Sequence, residues 1–113
     1  MSTDNTARTV VYVTQDDIDN GGWDASSCPI AQAMHRAGYW EAAVGLVSVT
    51  FLAVSDGESR NIRLTSGVRR WIRDYDNSRG WRGEPFDLVI EPERRKDSPY
   101  SLRGRYVRSR KGN

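Results

Sequence analysis

The chain has 113 residues, 37% of them hydrophobic and 28% charged, which suffices for one hydrophobic core and not for two. No stretch approaches the roughly 20 apolar residues that cross a bilayer. Residues 1–8 are polar with no apolar signal region, and the single Cys28 excludes an intramolecular disulfide, so the expectation is a protein of a reducing cytosol that engages no membrane.

The expected N-terminus is disordered over residues 1–8 and gives way to Thr9-Val-Val-Tyr-Val-Thr14, whose β-branched and aromatic residues favour a first strand. Thr14-Gln15-Asp16-Asp17 places a hydroxyl three residues before a carboxylate. This capping-box variant predicts one helical turn over Asp16 to Asp19, closed by Asn20-Gly21-Gly22. Pro29 suits the first position of a helix, with Ser27 or Cys28 as the cap. Ile30, Ala33, Met34 and Ala37 recur at helical spacing on one face, and Gly38 is the expected stop.

Val44 to Val54 reads as one strand with Val47, Val49, Phe51 and Ala53 on its buried face. Asp56-Gly57 predicts a tight hairpin turn, returning antiparallel through Asn61 to Thr65. Thr65 or Ser66 caps a second amphipathic helix, with Val68, Trp71, Ile72 and Tyr75 inward and Arg69, Arg70 and Arg73 on the solvent side. After Pro85, the alternation of Phe86, Leu88 and Ile90 with Asp87, Val89 and Glu91 gives a last strand. The expected fold is therefore an α+β domain over residues 9–92 with β-α-β-β-α-β order, a ferredoxin-like two-layer sandwich with one open sheet face. Residues 93–113, rich in charge, Ser and Gly, are expected to form a flexible basic tail.

The net charge of +2 conceals an asymmetry. Eight acidic residues stand against two basic ones through Glu58, and seven against fifteen beyond it. A basic arm of this kind either seeks an anionic partner or is kept solvated by its charge. In the tail, Arg94, Arg95, Lys96, Arg103, Arg105, Arg108, Arg110 and Lys111 mix with Tyr100 and Tyr106. Guanidinium groups contact phosphates and aromatic rings stack on bases, so nucleic-acid binding through the tail is one expected function.

Cys28, opening the Pro29 helix, meets the positive end of the helix dipole and free amides, which favour a thiolate. The same helix start, with Cys28 and Ile30, is a candidate site for a small anionic ligand. His35 lies seven residues on, about 10.5 Å along the axis, which excludes a direct Cys-His dyad. Asp16, Asp17, Asp19 and Asp24 lack calcium-loop spacing, since the twelfth residue from Asp17 is Cys28 rather than glutamate, and no metal or cofactor is implied. No Walker loop, dinucleotide-binding glycine pattern, HExxH helix or nucleophile elbow occurs, so the expectation is a non-catalytic protein. Trp23, Trp40 and Trp81 fall in loops or at element ends, where indoles serve as interface anchors.

Val13-Thr-Gln-Asp-Asp-Ile-Asp-Asn-Gly21, Cys28-Pro-Ile-Ala-Gln-Ala-Met34, Arg36-Ala37, and later Val68, Trp71-Ile72, Tyr75-Asp76 and Pro85-Phe86 are the residues of a resemblance. Over residues 10 to 91 the chain resembles a family of small proteins from actinobacterial phages and prophages. The resemblance implies a phage accessory context in the host cytoplasm and implies no reaction; the basic tail lies outside it. The expected function is binding of a host macromolecule, a host protein first, in host takeover or evasion of host defence, through the open sheet face, the loop tryptophans or the tail.

Overall fold

The computed structural model describes residues 8–22, 24–52, 57–77, 83–93 and 102–109. In chain order these form β1 (Thr9–Val13), α1 (Gln15–Asn20), α2 (Pro29–Arg36), β2 (Trp40–Val44), β3 (Ser48–Leu52), β4 (Ser59–Leu64), α3 (Ser66–Asn77), β5 (Phe86–Pro92) and β6 (Leu102–Arg108).

The helices start where their side chains satisfy the first orphan amides. Thr14 Oγ1 accepts from the Asp17 amide at 3.3 Å while the Thr14 amide donates to Asp17 Oδ2 at 2.9 Å, a complete capping box for α1. Pro29 occupies the first turn of α2, and Gly38, at φ +98°, supplies the left-handed residue that follows its last turn. Val68, Trp71, Ile72 and Tyr75 form the buried stripe of α3, as their spacing requires. The antiparallel pairing of β3 with β4, Leu52 opposite Ser59, gives the expected hairpin, with Gly57 at φ +69°; Asp56 lies outside the described residues.

The single strand expected over Val44 to Val54 is instead divided. The Gly45 amide donates to the Ser48 carbonyl at 2.8 Å, and this tight turn reverses the chain between β2 and β3. Val49 and Phe51 are buried as expected, whereas Val47 sits on the turn and is exposed; Ala53 lies outside the described residues. β2 carries a bulge between Trp40 and Ala43, where Glu41 takes φ +51°.

The sheet runs β1-β5-β6-β4-β3-β2, antiparallel throughout except for β4 beside β6. The fold is α+β, with a six-stranded mixed sheet in place of the four strands of the expected sandwich. In a ferredoxin-like sheet β1 would sit centrally beside β4; here β1 is an edge and β6 takes the central place. Residues 102–108, expected within a flexible tail, thus form an interior strand bonded on both sides. Leu102, Gly104 and Tyr106 face the core side, in register with Pro92, Ile90 and Leu88, while Arg103, Arg105 and Val107 face outward. The remainder of the expected tail, apart from Glu93 and Ser109, lies outside the described residues, as does the expected disordered N-terminus except Arg8.

The outward arginines of β6 are neutralised within the sheet. Glu91 Oε2 accepts from Arg105 Nε at 2.9 Å and Arg103 Nε at 3.0 Å. Glu93, whose side chain is 0% exposed, accepts from Arg63 of β4 and lies 4.0 Å from Arg103 Nη1. A strand with charges on one face is stable here because carboxylates from β5 and its end meet each guanidinium, with the long side-chain stems covering the sheet surface.

The sheet also wraps. Helix α2 packs against both β1 and β2, its two edge strands. The Val44 amide at the β2 edge donates to the Ala25 carbonyl at 2.9 Å. Each edge is thereby partly covered, which limits strand addition. Arg36 of α2 locks the closure by bonding the Asp17 carboxylate and donating to the Tyr12 carbonyl of β1 at 2.8 Å. Asp17, only 5% exposed, is therefore fully engaged by Thr14 and Arg36. Inside lie Val11, Val13, Ile30, Met34, Val49, Ile62, Leu64, Val68, Phe86 and Leu88.

Candidate protein-binding surface

The β2–β3 turn is fixed by its neighbours. The Leu64 amide at the end of β4 donates to the Val47 carbonyl at 2.9 Å, and Ser66 begins α3 two residues later, so the turn is held beside that helix. Leu46 is 74% exposed and Val47 51%, two apolar side chains adjacent in sequence with no core to enter. The hollow between the turn and α3 has a volume of ≈ 450 Å³ and is walled by Leu46, Val47, Ser66, Arg69, Arg70, Arg73 and Asp76. Two smaller hollows adjoin it. One, of ≈ 220 Å³, shares Leu46 and Asp76 and reaches Cys28; the other, of ≈ 310 Å³, shares Arg70 and is lined by Trp71 and Tyr106.

Arg69, Arg70 and Arg73 form no ion pair with any described residue, whereas Arg36, Arg63, Arg103 and Arg105 are each bonded to a carboxylate. Three guanidinium groups and two exposed aliphatic side chains around one concavity form an amphipathic patch.

Cys28 does cap α2, but its side chain makes no cap hydrogen bond. Burial pushes the thiol up from its ordinary pKa and Asp76 adds to this, while the amides of Ala31 and Ile30 act in the opposite direction without prevailing. The thiolate expected from the helix dipole is thus disfavoured. Pro29, Ile30 and Ala31 are all buried, Ile30 completely, so the start of α2 is packed into the protein and leaves Ile30 no side-chain surface for a ligand.

Trp40 is 61% exposed at the start of β2, opposite Leu52 on the outward face. It stands about 13 Å along the strand from Val44, at roughly 3.3 Å per residue, and so lies apart from the Leu46 hollow. Trp23 and Trp81 lie outside the described residues, as do Arg94, Arg95, Lys96, Arg110 and Lys111. Arg103 and Arg105 are held by Glu91 and Glu93, and Arg108 is exposed at the end of β6 opposite Phe86. Among the described residues no three His, Cys, Asp or Glu side chains cluster as metal ligands, and no helix is long and apolar enough to cross a membrane.

Sequence reasoning placed Arg69, Arg70 and Arg73 on the solvent side and missed Leu46 and Val47, which it assigned to a strand. Gly45 before them was the available signal for a turn. No protein-family model, no curated protein and no solved structure matches the chain.

Proposed function

We propose that the chain acts without catalysis, as a phage accessory protein that binds a host protein through the Leu46–Val47 turn and the arginine face of α3. The observation that carries this reading is the exposure of Leu46 and Val47 on a turn pinned beside three unpaired arginines. Burying two large aliphatic side chains is favourable by about 1.5–3 kcal/mol each, which is what a partner would gain at this point. The nucleic-acid alternative draws less support, because Arg103 and Arg105 already satisfy carboxylates and would have to leave them to reach phosphates. The small-anion alternative draws less as well, given the packed start of α2.

The test is capture from nuclease-treated actinobacterial lysate with the unaltered protein and the double variant Leu46→Asp/Val47→Asp. Both side chains are exposed, so the variant keeps the circular dichroism spectrum of the parent. Loss of a specific captured protein is the expected result; capture that the double variant leaves unchanged overturns the reading.

A further inference from the structure

We infer that the partner segment seated on this surface is acidic and is built around one apolar side chain, a refinement that rests on the protein-binding reading above. The inference comes from how α3 distributes its charge. Arg69 stands in the first turn of the helix, Arg70 and Arg73 in its middle, and Asp74 and Asp76 in its last turn. The helix dipole favours the opposite order, carboxylates first and cations last. Arg69 and Arg73 are also four residues apart, where like charges on a helix repel, and Arg70 precedes Asp74 at the same spacing, the less favourable orientation for an ion pair.

The free protein therefore carries a charge pattern that local physics penalises. Four other arginines are matched to carboxylates, Arg36 to Asp17, Arg63 to Glu93, Arg103 and Arg105 to Glu91, while Arg8 and Arg108 stand singly without a described ion-pair partner. What sets α3 apart is that three such cations line one hollow, a place where another molecule would supply the missing term. Carboxylates supply it: each guanidinium presents a planar fork that matches a carboxylate in two parallel bonds.

The apolar half of the patch selects a protein segment over a polyphosphate backbone. Leu46 and Val47 wall the same hollow as the arginines, and a chain of phosphates offers them nothing to bury. The hollow accommodates one large side chain such as Leu, Phe or Trp, with neighbouring Asp or Glu residues of the partner reaching Arg69, Arg70 and Arg73. Asp76 lines both this hollow and the one that reaches Cys28, and repels a carboxylate displaced toward Cys28.

The test selects a random-peptide library on the immobilised full-length protein and, in parallel, on the charge-reversed variant Arg69→Glu/Arg73→Glu, with circular dichroism to show that the variant is folded. Peptides retained by the unaltered protein are expected to be enriched in Asp and Glu around a single Leu, Phe or Trp. Their affinity should fall about tenfold or more for the charge-reversed variant and decrease as salt is raised, and that variant should select Lys and Arg in their place. Absence of acidic enrichment, or affinity indifferent to the reversal, overturns the inference. So does tighter binding of a mixed-sequence single-stranded oligonucleotide to the same arginines. The lysate capture separates the two claims: a host protein retained by the charge-reversed variant and lost with Leu46→Asp/Val47→Asp leaves the protein-binding reading standing and removes the acidic segment.

Discussion

Gly67 in the first turn of α3 and Tyr106 in β6 approach so closely that a Cβ on Gly67 would lie 2.9 Å from the Tyr106 Cβ. The contact joins the helix of the arginine face to the interior strand, and nothing larger than hydrogen fits between them. Gly67→Ala gains about 1 kcal/mol of helix propensity and loses about 1–3 kcal/mol to overpacking, because the atom encountered is near the backbone and cannot swing away. A net destabilisation of about 1 kcal/mol is expected, read as a fall in Tm of about 4 °C. An unchanged or raised Tm would show that α3 can lift from β6 without cost.

A chain ended at Glu93 should not fold. It lacks β6, so β5 and β4 lose the strand that pairs with both, and Glu91 and Glu93 lose Arg103 and Arg105. The expected outcome is a thermal melt without a cooperative transition, and loss of the near-ultraviolet signal of the Trp71–Phe86–Tyr106 ring stack. A shortened chain that melts sharply at the full-length temperature would contradict the role assigned to β6.

Glu91 provides a pH signature. Arg105 foremost holds its carboxyl below the ordinary glutamate range; burial opposes this as the next largest effect, and Arg103 adds to the lowering. A depressed folded-state pKa contributes stability that is present above the unfolded value, about 4.3, and is lost as pH falls through the folded value. At neutral pH, Glu91→Gln should therefore cost about 1–2 kcal/mol, since two partly exposed guanidinium groups lose a charged acceptor. The difference between the two proteins should narrow on acidification below about pH 4. A gap that stays constant down to pH 3 would mean that the carboxylate is not linked to folding.

The raised pKa of Cys28 predicts slow chemistry. Alkylation by iodoacetamide at neutral pH should be slower than for an unstructured cysteine peptide, and should accelerate as pH rises past the ordinary thiol range near 8.5. Equal rates at neutral pH would restore the activated thiol that the helix start alone suggests.

The elements that were legible in the sequence are those whose evidence is local. Thr14 and Asp17 cap within three residues, Val68 to Tyr75 repeats at the helical period, and the β3–β4 turn is marked by its glycine. β6 was illegible because its stability comes from elsewhere in the chain. Arg103 and Arg105 read as solvated charge until Glu91, twelve and fourteen residues away, and Arg63 with Glu93 are brought alongside. With β6 unrecognised, the ferredoxin-like arrangement was the natural assembly for the remaining strands. The candidate surface was half visible: the arginines of α3 follow from periodicity, but the exposure of Leu46 and Val47 depends on a turn that the apolar run around them disguised.

The parallel pairing of Ile62 with Leu102 and of Leu64 with Gly104 spans forty residues of chain. On the ribosome, β1 through β5 leave the exit tunnel before β6 exists outside it, so the sheet stays split between β5 and β4 throughout that interval. Productive folding is thereby deferred until residue 108 has cleared the tunnel, and in the meantime the borders of β4 and β5 that β6 joins stay unpaired. A chaperone that shields strand borders would act on this nascent chain at just that stage.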